Sequence, residues 1–336
     1  MTGMIAASLP GYNRRQPMTT TTATADRLRI AHAEVADALL RFDFEPGDPA
    51  PQRVPCERLD GPAAAESWWG GEITESAETT GAVWAHGEHY AMVAISVDEA
   101  GFGIEAAAAE AYQRLLIAVR PSRHPYLLRI WNYFAAINDG HGDAERYRKF
   151  CVGRARAVDG AFNNPPPAAT AIGTDGEPER VQLIALCARA PAIALENPRQ
   201  TPAWRYPREY GPVPPGFSRG VLLDADTNAP RLLASGTASI VGHVSQHIGD
   251  VEAQLKESLA NLSALLAEGG KKAQREFSLE GCEALRVYLR KPQDLAVAES
   301  LIVASGINRE RVLYLRGDVC RRELDVELEG VFVATA

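Results

Sequence analysis

Cysteine is scarce and scattered. Cys56, Cys151, Cys187, Cys282 and Cys320 show no pair spacing of the kind that grips a metal and no even set for a disulfide framework. A reducing cytoplasm is the expected compartment. Long apolar runs are also missing. No stretch approaches the length that crosses a bilayer as a helix, so no membrane partner is expected. Positive charge is in the minority: 35 Lys and Arg against 43 Asp and Glu give a formal charge of −8. That balance argues against nucleic acid as the main partner. The first 26 residues, "MTGMIAASLPGYNRRQPMTTTTATAD", hold only a short apolar stretch with Arg14 and Arg15 behind it and no basic region ahead. They do not pattern as a secretory signal. Residues 1–25 are expected to be a flexible lead, with Met4 and Met18 as alternative starts.

What the chain does have is a local cluster of cations. In "ENPRQTPAWRYPREYGP", residues 196–212, Arg199, Arg205 and Arg208 sit among Trp204, Tyr206, Tyr210 and four prolines. Any anion site in so acidic a chain has to be local, and this segment is one candidate. Arg205, flanked by Trp204 and Tyr206, is the favoured ligand. Arg199 and Arg208 are expected to tie the loop down.

The remaining pattern reads as mixed α and β. "RLRIAHAEVADALLRF" suggests a short helix. "GAVWAHGEHYAMVAISV" alternates as strand material. Ile104, Ala108, Tyr112, Leu115 and Val119 recur at helical spacing, and Pro121 stops that helix. "YLLRIWNYF" and "VQLIALCA" read as strands, "GDAERYRKFCVGRARAV" as a helix, and "NNPPPAATAIG" as a turn-rich connection. After residue 216 the order is β-β-α-β-α-β-β. Its clearest helix spans 251–266, with Gly269–Gly270 expected to end it. The order of elements, more than residue identity, indicates two related α/β units: an α+β chain of mixed sheets packed with helices. The expected division is 26–212 and 213–336.

Three stretches could carry chemistry. In "DVELEGVFV", Glu327 and Glu329 alternate with Val326 and Leu328. A surface strand accounts for two glutamates; a cavity would instead raise a carboxyl's pKa and make it an acid. In "SGTASIVGHVSQHIGD", Ser235, Gly236 and Thr237 leave room for a ligand. His243 and His247 are four apart, but no third ligand is near, so ordinary hydrogen-bonded histidines are expected. In "RYRKFCVGRARA", Tyr147, Cys151 and Arg154 share a helical face, and arginine suits bidentate carboxylate binding.

These residues resemble known families. The C-terminal third is similar to the YjgF/Rid fold, in Ser235–Gly236, Gly249–Asp250, Asn261–Leu262 and Glu327–Leu328–Glu329. Most of residues 125–330 resembles the chorismatases, through "RIWNYFAAIN", "RYRKFCVGR", "PPPAATAIG", the 196–212 segment, "FSRG", "SGTASIVGH" and "GDVCRRELDVELEG". The resemblance implies chorismate as substrate, pyruvate as one product, Glu327 as proton donor, and neither metal nor organic cofactor. It assigns carboxylate binding to Arg154 and Arg205, with Arg219 a weaker choice, and substrate packing or hydrogen bonding to Tyr147, Tyr206 and Tyr210. Gly236 and Cys320 together resemble the branch that forms 3-hydroxybenzoate, a product that points to secondary metabolism and natural product biosynthesis. Other readings are the hydrolytic branch, a Rid-type imine deaminase, and a non-catalytic small-molecule binder. The resemblance also implies a pseudo-oligomeric arrangement within one chain, itself a monomer or small homo-oligomer, with the site between its halves.

Overall fold

The computed structural model describes residues 28–35, 37–44, 50–79, 81–158, 165–176 and 179–335; the flexible lead expected at 1–25 lies outside them. The chain begins with β1 (Arg29–Ala31), β2 (Leu40–Asp43), β3 (Arg58–Asp60) and β4 (Ala65–Trp69). Next come β5 (Glu75–Thr79), β6 (Ala82–His86), β7 (Tyr90–Asp98), α1 (Gly103–Val119), β8 (Tyr126–Ala135), α2 (Arg146–Ala157), β9 (Ala168–Thr174) and β10 (Arg180–Ala188). A second series follows: β11 (Ile193–Leu195), β12 (Gly220–Leu223), β13 (Arg231–Ala238), the small pair β14 (Ile240–Val241) and β15 (Val244–Ser245), α3 (Val251–Ala273), β16 (Cys282–Leu289), α4 (Leu295–Ala304), β17 (Val312–Arg316) and β18 (Val326–Val333).

The two series repeat one topology. The first sheet runs β5-β6-β7-β10-β8-β9, and the second runs β11-β12-β13-β18-β16-β17 with β3 added at its edge. In each, the last strand inserts antiparallel between earlier ones, and one parallel pair (β8 with β9, β16 with β17) is joined through a helix. The α+β class and the two related units read from the order of elements are present in the structure.

Helices cover the outer faces. Ile104, Ala108, Tyr112 and Leu115 of α1 and Phe150 of α2 pack on the first sheet. Leu255, Leu259, Leu262 and Leu266 of α3 pack on the second. Asp250 caps α3 by accepting from the Ala253 N–H at 3.0 Å. This helix does not stop at Gly269–Gly270 but runs on to Ala273, ending at Gln274 in the left-handed region (φ 51°). A Cβ on Gly269 would collide with Leu232 of β13, so that glycine permits close helix–sheet packing and not a helix end.

Two other expectations are corrected. The described residues of the 27–42 segment form β1 and β2, both antiparallel to β4, and no helix. Leu28 and Ile30, then Leu40 and Phe42, are buried at period two, and Asp37 breaks the run with φ 59°. The turn-rich connection runs into β9, whose alanines and Ile172 pack into the cores on the two faces of the first sheet.

The inner faces of the two sheets meet in a core that also takes in Phe42 and Trp68 from the small β1-β4-β2 sheet. A charged chain runs through it. Arg286 of β16 pairs with Glu66 of β4 and, at 3.2 Å, with Glu329 of β18; Arg129 of β8 also pairs with Glu329. Tyr288 and Thr170 each donate to Glu329 at 2.6 Å. The Arg286 guanidinium lies 4.0 Å from the centre of the Phe42 ring. Burial works against the charge on Glu66, but Arg286 beside it overcomes this and holds the carboxyl below its ordinary value.

Arg286→Met is expected to cost about 3–5 kcal/mol in urea denaturation, because it leaves two buried carboxylates short of a cation. A loss below about 1 kcal/mol, typical of exposed pairs, would show that the chain is not holding the sheets together.

Candidate active site

The sheets touch at one edge, where β9 bridges to Ser218 and Asp318 of the second unit. Beside that edge lies a cavity of about 300 Å³, walled by α2 and β9 from one unit and by β13, β18 and residues 320–323 from the other. Residues 206–219 close its remaining side.

Glu327 reaches this cavity from β18. Its strand pairs with Ala238 of β13 and Tyr288 of β16, and alternation turns Glu327 and Glu329 to the inner face. The β13 register slips between Ala234 and Thr237, a bulge of the kind that re-aims a strand. Gly236 sits in that slip. A Cβ there would overlap the Glu327 carboxyl, ending 2.8 Å from its Cδ. The Gly236 N–H donates to Thr170 Oγ1 at 2.8 Å, and Ser235 Oγ donates to the Ser218 carbonyl at 2.6 Å. Glu327 is 5% exposed and makes no ion pair among the described residues. Burial, then the Glu329 charge, push its carboxyl up from 4.5 to about 8; Arg129 and Arg219 pull the other way.

Three arginines converge on the same space. Arg154 of α2 is buried and hydrogen-bonded to Tyr112, whose hydroxyl donates to Asn132 at 2.8 Å. Arg219 donates to Tyr206 Oη at 2.7 Å and to the Thr201 carbonyl at 3.0 Å, while its Nε is buried with no partner. Arg321 donates to the His243 carbonyl and to Ser245 Oγ, lies 4.1 Å from the Tyr210 ring centre, and keeps a buried Nη2 with no partner. None of the three pairs with a carboxylate among the described residues. Glu145, Glu209 and Glu323 also line the cavity, and Glu145 pairs with Arg148 at 3.4 Å; Arg154, Arg219 and Arg321, which hold no carboxylate of their own, suit a small anion with more than one acidic group.

Of the residues picked out in the sequence, Glu327, Cys320, Gly236, Arg154, Arg219, Tyr147, Tyr206 and Tyr210 all line this cavity. Arg205 does not. It ends a single 3-10 turn, Ala203–Arg205, and points to solvent, while the next residue, Tyr206, turns inward. The other two arginines of that segment are tethers: Arg199 pairs with Glu257 at 2.6 Å, and Arg208 binds Asp143 at 2.9 Å. Arg321, Thr170 and Asn132 were not singled out from the sequence. The signal for Arg321 was its place beside Cys320 in "VCRRELDVE". Burial, then the neighbouring Glu327, push the Cys320 thiol up to about 12, so it stays protonated. His243 faces Tyr210 and His247 faces Glu257, so the two do not share a ligand position.

Among the described residues, no helix is long and apolar enough to cross a membrane. Residues 66–187 match the family model described as chorismatase FkbO/Hyg5-like, N-terminal. A chorismatase of Streptomyces rapamycinicus is 38% identical over 276 residues, covering 80% of this chain and 81% of that protein. A 3-hydroxybenzoate synthase of Streptomyces hygroscopicus is 34% identical over 277 residues, covering 80% and 81%. A chorismatase crystal structure superposes with a TM-score of 0.77 at 30% identity, covering 92% of this chain and 98% of that one.

The raised Glu327 pKa carries a stability consequence. Between about 4.5 and about 8 the unfolded chain releases a proton that the folded chain keeps, so stability falls as pH rises through this window. Glu327→Gln is expected to flatten that slope and to stabilise the protein at neutral pH by on the order of 1–3 kcal/mol. Denaturation at about pH 5 and about pH 8 checks it; an unchanged slope would mean that Glu327 ionises normally.

Proposed function

The chain belongs to the chorismatase family, and from that premise we propose that it converts chorismate to pyruvate and 3-hydroxybenzoate, with Glu327 as the proton donor. The observation that carries the reading is the buried Glu327 carboxyl, held up to about 8 in a cavity with three arginines that have no carboxylate partners. Chorismate has two carboxylates and an enolpyruvyl ether. Arg154, Arg219 and Arg321 supply the cations for the carboxylates. Tyr206 and Tyr210, packed against Arg219 and Arg321, hold those guanidiniums in place, and Tyr147 offers a protonated hydroxyl and a ring face.

The first step protonates the methylene carbon of the enol ether. Glu327 gives its proton, the carbon becomes a methyl group, and an oxocarbenium ion forms next to the new carboxylate, which stabilises it. The ring C–O bond then breaks while the adjacent ring hydroxyl oxygen closes on the same carbon. Pyruvate leaves, an arene oxide remains, and its opening with loss of a ring proton gives the phenol. Glu327 recovers a proton in the sequence. Pyruvate and 3-hydroxybenzoate together contain the atoms of chorismate, so no water is consumed. The hydrolytic branch adds one water and gives a dihydroxycyclohexadiene carboxylate.

Two residues support the water-free branch. Gly236 yields the space its side chain would fill to the Glu327 carboxyl, which fixes where the proton is delivered. Cys320 places a protonated thiol on the cavity wall beside Glu327, where a serine or an aspartate would offer water a stronger hydrogen-bonding group. Both match the 3-hydroxybenzoate pattern, and one relative bears that activity's name.

Incubation with chorismate and chromatography of the products is expected to give equimolar pyruvate and 3-hydroxybenzoate. The dihydroxydiene acid as sole product would assign the hydrolytic branch, and no pyruvate would end the reading altogether. Separately, Arg321→Met is expected to raise the KM for chorismate by about ten- to a hundredfold, whereas Arg205→Met leaves it nearly unchanged. Equal effects would return Arg205 to the site.

A further inference from the structure

Glu329 does not line the cavity, yet it is the most heavily bonded carboxylate in the inter-sheet core. It takes an ion pair from Arg129, a second from Arg286 at 3.2 Å, and hydroxyl hydrogen bonds from Tyr288 and Thr170 at 2.6 Å each. These donors come from β8, β16 and β9, so the carboxylate is fixed from three strands. Two residues along the same strand face, about 7 Å away by strand geometry, stands Glu327.

Charge within this layer balances without Glu327. Glu66 and Glu329 are two anions; Arg129 and Arg286 are two cations. A charge on Glu327 would be a third anion in a buried space. Thr170 adds a mechanical link. Its hydroxyl donates to Glu329 while accepting from Arg129 and from the Gly236 N–H. Gly236 is the backbone against which the Glu327 carboxyl rests. One anchored carboxylate is thus tied both to the electrostatics and to the seat of the other.

We infer that Glu329 is a positioning residue for the reaction: a fixed buried anion that, through its charge and through Thr170 and Gly236, keeps Glu327 in its acid form and in place. The inference rests on the reading of Glu327 as the proton donor, and it deepens that reading by assigning a charge that, with burial, keeps it protonated. The charged and titratable groups facing Glu327 are Glu329 on its own strand, Arg129 from β8, Arg219 ahead of β12, Cys320 from the loop before β18, and Tyr147 from α2. The direction of its displacement agrees: burial raises it most, Glu329 raises it further, and Arg129 and Arg219 lower it. At about 7 Å and an effective dielectric near 20, a like charge displaces a carboxyl by about one to two pH units.

Two readouts separate the inference from the reading it builds on. The first is infrared titration of the Glu327 carboxylic-acid carbonyl stretch, assigned by difference against Glu327→Gln. The second is the pH profile of pyruvate release from chorismate. In Glu329→Gln, which keeps the shape of the side chain but removes the charge, the infrared midpoint is expected to fall by about one unit or more, and the alkaline limb of the rate profile should fall with it. Arg129→Gln leaves the anion and removes a neighbouring cation, so its midpoint should rise; should Glu329→Gln alone fail to fold, Glu329→Gln added to Arg129→Gln keeps the layer neutral, and its midpoint is expected below that of Arg129→Gln alone. An unmoved infrared midpoint in a folded variant, with rates lowered equally at all pH values, would overturn the inference and leave Glu329 a structural residue. An infrared midpoint that moves while the rate profile stays fixed would uphold the tuning and remove Glu327 from the role of proton donor.

Discussion

Two β-sheets face each other across a layer that contains charges, and the layer can exist only if those charges cancel. Glu66–Arg286–Glu329–Arg129 meets that condition with two of each sign. Each ion has a partner from a different strand, so the chain of pairs also fixes how β4, β8, β16 and β18 sit relative to one another. Removing one member leaves an uncompensated buried charge, which is far costlier than never having placed it. The geometry of the cavity edge, where β9 meets β13 and β18, depends on this layer being neutral and rigid.

The cavity obeys the opposite rule. Arg154, Arg219 and Arg321 are drawn together without carboxylates of their own, held by tyrosine rings, hydroxyls and carbonyl groups. Neutral partners orient a guanidinium without satisfying its charge, so the cation stays available to a ligand. Glu327 lies at the boundary between these two regimes. On one side is a full set of paired ions that resists another anion; on the other is an anion-seeking pocket. A carboxyl placed there keeps its proton to a higher pH than an exposed one.

Much of this was legible in the sequence, for reasons that differ by residue. The period of α1 and α3 and the alternation of β18 were plain, because one face of each is apolar and the other is not. The repeated topology showed in the order of elements although the two units share little identity. The 27–42 segment misled because two short strands about a left-handed Asp37 place apolar residues at spacings that also fit a helix. Pro165 to Pro167 disguised β9. Arg205 and Arg321 could not be ranked, since which side chain turns inward from a 3-10 turn or a loop is decided by distant packing. Glu66 and Arg286 are 220 residues apart, so nothing local announces that they pair.

The central claim is that a protonated carboxyl delivers solvent-derived hydrogen to the methylene carbon of the enol ether. It is tested most directly by running the reaction with chorismate in deuterium oxide and reading the mass of promptly trapped pyruvate. Pyruvate with one deuterium in its methyl group is the result expected, because Glu327 exchanges with solvent before each turnover. Pyruvate with no deuterium would mean that the hydrogen came from the substrate's own ring, and would contradict proton donation by Glu327.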